Sequence, residues 1–207
     1  MSHPIDVRNQ QLYDLEQFAV PQAVKNDLQG ILLPQGLIDN RVARMGEEIA
    51  KNYAYGNTLA ICVLNGAQHF YQQLLNSVFP SVHNDIQLES IKCCSYDGTK
   101  STGEVQINGL DFTAVRGKNV LVVEDIIDTG LTLSKLAQKL YEHDPLSLEI
   151  ACLLDKRERR NPQATVKPEY TGFIIPDRFV VGYGLDFNGR YRLLPHLGVL
   201  KEEIYQK

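Results

Sequence analysis

Four apolar residues in succession, Val120-Leu121-Val122-Val123, run directly into Glu124-Asp125-Ile126-Ile127-Asp128-Thr129-Gly130-Leu131-Thr132. An apolar run without alternation reads as a strand buried on both faces, as in a parallel sheet covered by helices. Such a strand is expected to end in Glu-Asp-x-x-Asp only where the charges face something outside the sheet. Ligands of open α/β sheets bind just beyond the carboxyl ends of the strands. The small loop Asp128-Thr129-Gly130-Leu131-Thr132 is suited to turn its backbone N–H groups onto a phosphate at the start of the next helix. Plain capping of that helix by Asp128 or Thr129 would use the same N–H groups. Acids placed to hold sugar hydroxyls or a metal beside a phosphate cradle imply a sugar-phosphate substrate.

The remaining elements fit around this strand. After Pro34, Leu37, Ile38, Val42, Met45 and Ile49 fall at helical spacing within Gln35–Tyr53. Leu59–Leu64 reads as an apolar strand ending at Asn65-Gly66-Ala67, His69–Phe79 as a helix and Ile86–Cys93 as a strand. Ser95–Gly109 is polar and glycine-bearing, which predicts either disorder or a functional lid. A helix over Leu131–Tyr141 and a strand over Leu148–Leu154 follow, then Phe173–Asp177 and Phe179–Gly184. This alternation predicts an α/β fold with an open, mostly parallel sheet flanked by helices. We expect one domain over residues 1–207, with the chain ends, about 1–35 and 165–207, forming a small hood lobe over the sheet's carboxyl edge.

With 207 residues, 43% hydrophobic and 22% charged, the chain has the composition of an ordinary globular protein. Its net charge of −4 argues against a surface that coats nucleic acid. No apolar run approaches the roughly 18–20 residues that span a bilayer. The amino end lacks a basic segment followed by a hydrophobic core, so the expected location is the cytoplasm. Cys62, Cys93, Cys94 and Cys152 match no zinc spacing and read as reduced structural thiols.

Val-Val-Glu-Asp-Ile-Ile-Asp-Thr-Gly-Leu-Thr resembles the phosphoribosyl-diphosphate-binding motif of the type I phosphoribosyltransferases. Leu32–Ile38, Cys62–Gly66, Ser95-Tyr96, Lys156-Arg157 and Ile175–Asp186 occur in the order found in the hypoxanthine-guanine phosphoribosyltransferases. The similarity runs from about Leu32 to the carboxyl end. It implies the type I phosphoribosyltransferase fold and a Mg²⁺-dependent enzyme of purine salvage. Such an enzyme moves the 5-phosphoribosyl group from 5-phosphoribosyl-1-diphosphate to N9 of hypoxanthine or guanine. The resemblance also implies a homodimer or homotetramer that binds neither nucleic acid nor membrane.

The same resemblance distributes roles. Glu124 and Asp125 hold the ribose 2′- and 3′-hydroxyls and approach Mg²⁺ through water. Two adjacent carboxylates need such compensation, because like charges this close favour protonation of one. Asp128, Thr129, Gly130, Leu131 and Thr132 form the 5′-phosphate cradle, and Asp128 is also the candidate general base near N7 of the purine. Lys156 donates to the 6-oxo oxygen and would face the wrong partner in a 6-aminopurine. Phe179 stacks on the purine and the Val180 backbone reads its edge, although both residues also suit an ordinary core. Asp186 is the direct Mg²⁺ ligand and borders the purine. Leu64, Asn65 and Gly66, with Arg192, contact pyrophosphate. Ser95 and Tyr96 belong to a lid that excludes water from an oxocarbenium-like sugar. Lys156, Tyr96 and Arg190 otherwise read as solvated residues, and for Arg190 that reading is preferred.

Two positions depart from the pattern. Many relatives carry Lys where this chain has Leu131, and Lys is common where it has Asn65. With Leu131, the phosphate is expected to rely on backbone donors and the Thr hydroxyls. With Asn65, the loop is unimpaired if its backbone N–H groups do the binding, and affinity for the diphosphate is lower if side-chain charge matters. Two rival readings stand beside this one: the same fold acting on xanthine or adenine, and a non-catalytic phosphoribosyl-diphosphate sensor or RNA-binding regulator. Lys156 counts against adenine. Retention of Asp128, Lys156, Asp186 and Arg192 counts against the regulator.

Overall fold

A strand that is apolar on both faces must be covered twice, and the computed structural model shows how. It describes residues 3–53, 57–79, 86–95 and 105–206. In chain order the elements are β1 (Ile5–Asp6), α1 (Gln22–Lys25), β2 (Leu28–Leu33), α2 (Gln35–Tyr53), β3 (Thr58–Leu64), α3 (Gln68–Val78), β4 (Ile86–Ser95) and β5 (Val105–Asn108). They continue with β6 (Asn119–Ile127), α4 (Leu131–Tyr141), β7 (Ser147–Asp155), β8 (Tyr170–Ile174), β9 (Val180–Val181), β10 (Leu197–Leu200) and α5 (Glu202–Tyr205). Seven strands form one sheet in the order β1-β8-β7-β6-β3-β4-β5, parallel except for the β4–β5 pair. Val120 and Val122 pack on one face with Leu133, Leu136 and Leu140 of α4. Leu121 and Val123 pack on the other with Ile38, Val42, Met45 and Ile49 of α2 and Phe70 and Leu74 of α3.

The sequence predicts a strand over Val120–Val123, whereas β6 continues through both acids to Ile127. Its neighbours explain the difference. Pairing with β3 stops at Cys62↔Val123, while pairing with β7 continues to Ile127↔Asp155. Glu124 and Asp125 therefore lie on a strand but beyond the reach of β3, beside an open crevice. The chain leaves β3 toward β4 on one side and leaves β6 toward β7 on the other. The crevice is thus a topological switch point, where such sheets place ligands.

The predicted lid stretch divides. Val105–Asn108 pairs antiparallel with Lys92–Ser95 as β5, so its far end is one arm of a hairpin. Residues 96–104, Tyr96 among them, lie outside the described residues. The small sheet β2-β10-β9 is antiparallel and carries its own apolar cluster around Leu28, Ile31, Val181, Leu194 and Leu200. Its membership is narrower than residues 1–35 and 165–207, because β1 and β8 pair with each other in the large sheet. His196, a buried residue of this lobe, accepts a hydrogen bond at Nδ1 from the Gln35 backbone N–H (3.0 Å), joining the lobe to the start of α2. Among the described residues no helix is long and apolar enough to cross a membrane.

Helices α2 and α3 meet at Gly46, where a Cβ would collide with the Cβ of Ser77 and lie 3.0 Å from its carbonyl carbon. Overfilling such a contact costs about 1–3 kcal/mol. Gly46→Val should lower unfolding stability by an amount in that range, with an unchanged urea m-value. Urea titration checks this, and an unaffected midpoint would show that the helices are not in close contact there.

Candidate active site

At the carboxyl end of β6, Glu124 and Asp125 are half-buried side by side. The Asp125 N–H donates to Glu124 Oε1 (3.2 Å), and the Ile126 N–H donates to Asp125 Oδ1 (2.7 Å). Burial raises the Glu124 pKa well above its ordinary range, and the neighbouring Asp125 carboxylate raises it further. Burial also raises Asp125, against the hydrogen bonds it accepts and the positive charge of Arg192. Two acids in this condition lack enough positive charge nearby, which is the donor set a divalent cation or sugar hydroxyls would satisfy. Among the described residues no three His, Cys, Asp or Glu side chains converge as a closed metal cage.

The loop after β3 closes over Asp125. The Leu64–Asn65 peptide bond is cis. A Cβ on Gly66 would overlap the Asp125 carboxylate, and a Cβ on Gly184 would overlap the Gly66 carbonyl. The Asp125 carboxylate and the Gly66 and Gly184 backbones therefore stack with no room for a further side chain between them. Gly184, at φ +101°, occupies the left-handed region as well. A cavity of about 550 Å³ opens here, lined by Leu64, Asn65, Gln68, His69, Gly184 and Arg192 among others. Arg192 donates to the Gly184 carbonyl (2.6 Å) and pairs with Asp186 (2.7 Å). Asp186 also accepts from the Gly189 N–H (2.7 Å). The candidate metal ligand and the candidate pyrophosphate arginine thus touch each other.

The start of α4 bears on both capping and anion binding. Its N-cap residue is Gly130, at φ +79°, and no side chain caps the helix. Thr129 Oγ1 is 3.5 Å from the Leu131 N–H, at the limit of a hydrogen bond. The first-turn N–H groups of Thr132 and Leu133 therefore have no partner among the described residues, and that of Leu131 has only this long one. A Cβ on Gly130 would lie 2.5 Å from the end of the Arg160 side chain, and the left-handed conformation is what calls for glycine here. Arg160 is in turn tied to the buried Asp155, which Arg157 also contacts (3.2 Å).

Lys156 is buried, with its ammonium 3.5 Å from Asp177. A merely solvated lysine would not occupy this position. Asp128 pairs with Arg159 (2.7 Å). Phe179 is half-buried, stacked on Tyr205 (4.7 Å between centroids, 20°) with Phe187 edge-on (5.4 Å, 86°). Val180 is buried in β9. Ser95 closes β4, its backbone paired opposite Val105. Arg190 pairs with Asp27 (3.2 Å) in the small lobe, away from this set. Burial pushes the Cys62 thiol up to about 12 and raises that of Cys152, consistent with structural thiols.

Sequence reasoning missed Asp155, Arg159, Arg160 and Asp177, and also the Tyr183–Gln73 hydrogen bond that seats the Gly182–Gly184 turn on α3. Clustered charges such as Arg157-Glu158-Arg159-Arg160 ordinarily read as solvated surface. Only the parallel pairing of β6 and β7 brings them against the Asp128 loop.

The family described as "Phosphoribosyl transferase domain" matches residues 29–188. The hypoxanthine-guanine phosphoribosyltransferase of Canis lupus familiaris is 39% identical over 196 residues, covering 92% of this chain and 89% of that protein. The hypoxanthine-guanine-xanthine phosphoribosyltransferase of Tritrichomonas foetus is 42% identical over 182 residues, covering 87% and 96%. A crystal structure of a hypoxanthine phosphoribosyltransferase from Staphylococcus aureus superposes with a TM-score of 0.81 at 36% identity, covering 91% of this chain and all of that one.

The raised pKa of Glu124 has a consequence for stability. The folded chain holds this proton more tightly than the unfolded chain, whose Glu titrates near 4.5. Glu124 therefore favours folding below that pH, and the contribution is lost as pH rises toward the folded pKa. With a chelator present, the melting temperature of Glu124→Gln minus that of the parent should grow as pH increases from 4.5. A gap independent of pH would contradict the burial of this charge.

Proposed function

We infer the reaction from one premise: this chain belongs to the phosphoribosyltransferase domain family, which matches residues 29–188. It is a hypoxanthine-guanine phosphoribosyltransferase of purine salvage. The enzyme transfers the 5-phosphoribosyl group from 5-phosphoribosyl-1-diphosphate to N9 of hypoxanthine or guanine, giving IMP or GMP and pyrophosphate. One observation carries the reading at the level of the site. An uncapped helix start, a strained carboxylate pair and a buried lysine share the switch-point end of one sheet.

The roles follow from what each group has to offer. The α4 N–H groups, with Thr129 and Thr132, receive the 5′-phosphate, and Gly130 lets the backbone approach it. Glu124 and Asp125 accept hydrogen bonds from the ribose hydroxyls, and their charge favours the positive sugar that develops as the diphosphate departs. Asn65 and Gly66 offer backbone donors to the diphosphate. Arg192, steadied on Asp186 and the Gly184 carbonyl, turns its remaining guanidinium hydrogens the same way. Mg²⁺, held by Asp186 directly and by Glu124 and Asp125 through water, would neutralise the leaving diphosphate. Lys156 donates to the 6-oxo oxygen, Phe179 presents the ring face not covered by Tyr205, and the Val180 backbone reads the purine edge. Asp128 takes the proton at N7. Ser95 and Tyr96 belong to the lid.

We place the enzyme in the cytoplasm as a homodimer or homotetramer. The similarity to the Tritrichomonas foetus protein, whose name includes xanthine, makes xanthine the alternative acceptor to examine.

A spectrophotometric assay with hypoxanthine, guanine, xanthine and adenine, with and without Mg²⁺, tests the whole reading. Turnover is expected with the first two bases and only when Mg²⁺ is present, and adenine as the preferred base would overturn it. Lys156→Ala should relax the preference for 6-oxo over 6-amino purines, by up to about 10⁴-fold if the buried contact carries it all. Unaltered selectivity would remove Lys156 from recognition. Asp128→Asn should lower kcat by about 10²-fold or more while leaving KM values nearly unchanged. Unchanged turnover would exclude it as the base.

A further inference from the structure

We propose that Arg159 is a positioning residue that fixes the spacing between the two groups that read the purine, Asp128 and Lys156. The proposal rests on the roles given to those two residues above. Arg159 Nε donates to Asp128 Oδ1 at 2.7 Å, and its NH1 lies 3.6 Å from Asp177 Oδ2. The other Asp177 oxygen is 3.5 Å from Lys156 Nζ. Four charges of alternating sign, Asp128–Arg159–Asp177–Lys156, thus join three separate segments: the β6–α4 loop, the β7–β8 connection and the β8–β9 connection. The backbone stitches the first two on both sides of Arg159. Lys156 N–H donates to the Ile127 carbonyl (2.9 Å), Arg159 N–H to the Lys156 carbonyl (3.0 Å) and Asn161 N–H to the Thr129 carbonyl (3.0 Å).

Stability does not account for this chain of charges. The side chains of Asp128, Arg159 and Asp177 are 45%, 46% and 47% exposed, and ion pairs that open contribute little to folding. Position does account for it. The Lys156 side chain is only 11% exposed, and its one ion-pair contact among the described residues is long. Asp177 can hold that ammonium at a useful distance only if a second cation shares its charge. Arg159 is that cation, and a planar guanidinium has the fork needed to reach two carboxylates at once. Without it, Asp177 would close on Lys156 and compete with the 6-oxo oxygen, while Asp128 would lose the partner that orients it toward N7.

Steady-state kinetics of Arg159→Ala test the proposal. The KM for hypoxanthine and guanine should rise about tenfold and kcat should fall, while the KM for the diphosphate substrate stays within about twofold. The melting temperature should not change. Arg159→Lys, which restores one contact but not the fork, should recover part of the loss. Asp177→Asn should show the same division between the two KM values, and the double variant should be no worse than the poorer single one. If Arg159→Ala does not fold, Arg159→Gln carries the same expectation. The proposal is overturned if purine KM and kcat both stay within about twofold of the parent, if both substrates' KM values rise together, or if the double variant is additive. A parent enzyme that turns over none of the purines would instead overturn the functional reading, and this proposal with it.

Discussion

β3 stops pairing with β6 at Val123, while β7 accompanies β6 as far as Ile127, and the one-sided strand end that results decides where charge can sit. A strand bonded on both sides in a covered sheet has no place for Glu124 and Asp125. A strand bonded on one side has a crevice, and the Leu64–Gly66 loop fills part of it so closely that only glycine fits against Asp125. The acids are thereby desolvated without being fully enclosed. Their unmet charge is the force that a cation and a polyhydroxylated sugar would relieve, so the fold's main electrostatic debt and its ligand chemistry are one feature.

The opposite wall of the crevice shows the same economy of position. α4 begins at a left-handed glycine with no side-chain cap, leaving N–H groups that a helix buried without a ligand would have to satisfy otherwise. Behind Gly130 stands Arg160, anchored on buried Asp155 at the end of β7. The Asp128–Thr132 loop is therefore braced from beneath by a guanidinium whose own charge is balanced. Beside it, Arg159 braces Asp128 in the same manner. Both braces come from the connection after β7, whose position against β6 is set by the parallel register Glu124↔Cys152 to Ile127↔Asp155.

How much of this was legible depended on the range of the interaction. Periodicity located the α2 and α4 helices well, because Ile38, Val42, Met45 and Ile49, or Leu133, Leu136 and Leu140, report a local face. The apolar run at Val120–Val123 was equally plain. Its extension to Ile127 was not, because charged residues ordinarily end a buried strand and only the shorter reach of β3 makes them admissible. Val105–Asn108 reads as part of a loop until β4 supplies its partner. Arg159, Asp155 and Asp177 look like surface charges for the same reason: their partners are 31, 5 and 21 residues away. The candidate ligand-facing residues were legible because a recurring motif preserves them. Of the residues that hold them in place, Asp177 lies inside one of the blocks that carry the resemblance, whereas Asp155, Arg159 and Arg160 lie outside them.

The two departures from the family pattern make physical sense in this setting. A lysine at position 131 would put a positive charge on the first residue of α4, where the helix dipole already presents positive charge. Leucine there costs the helix nothing and leaves the backbone donors uncovered. At position 65 the stack of Asp125, Gly66 and Gly184 fixes the backbone without help from any side-chain charge. Arg192 brings positive charge to the same cavity from the opposite lobe. Both substitutions therefore remove a mobile cation from a place where a fixed donor remains. Anion binding as proposed for this chain would depend on geometry held by glycines and half-buried carboxylates more than on flexible charge, and its sensitivity to ionic strength should be correspondingly modest.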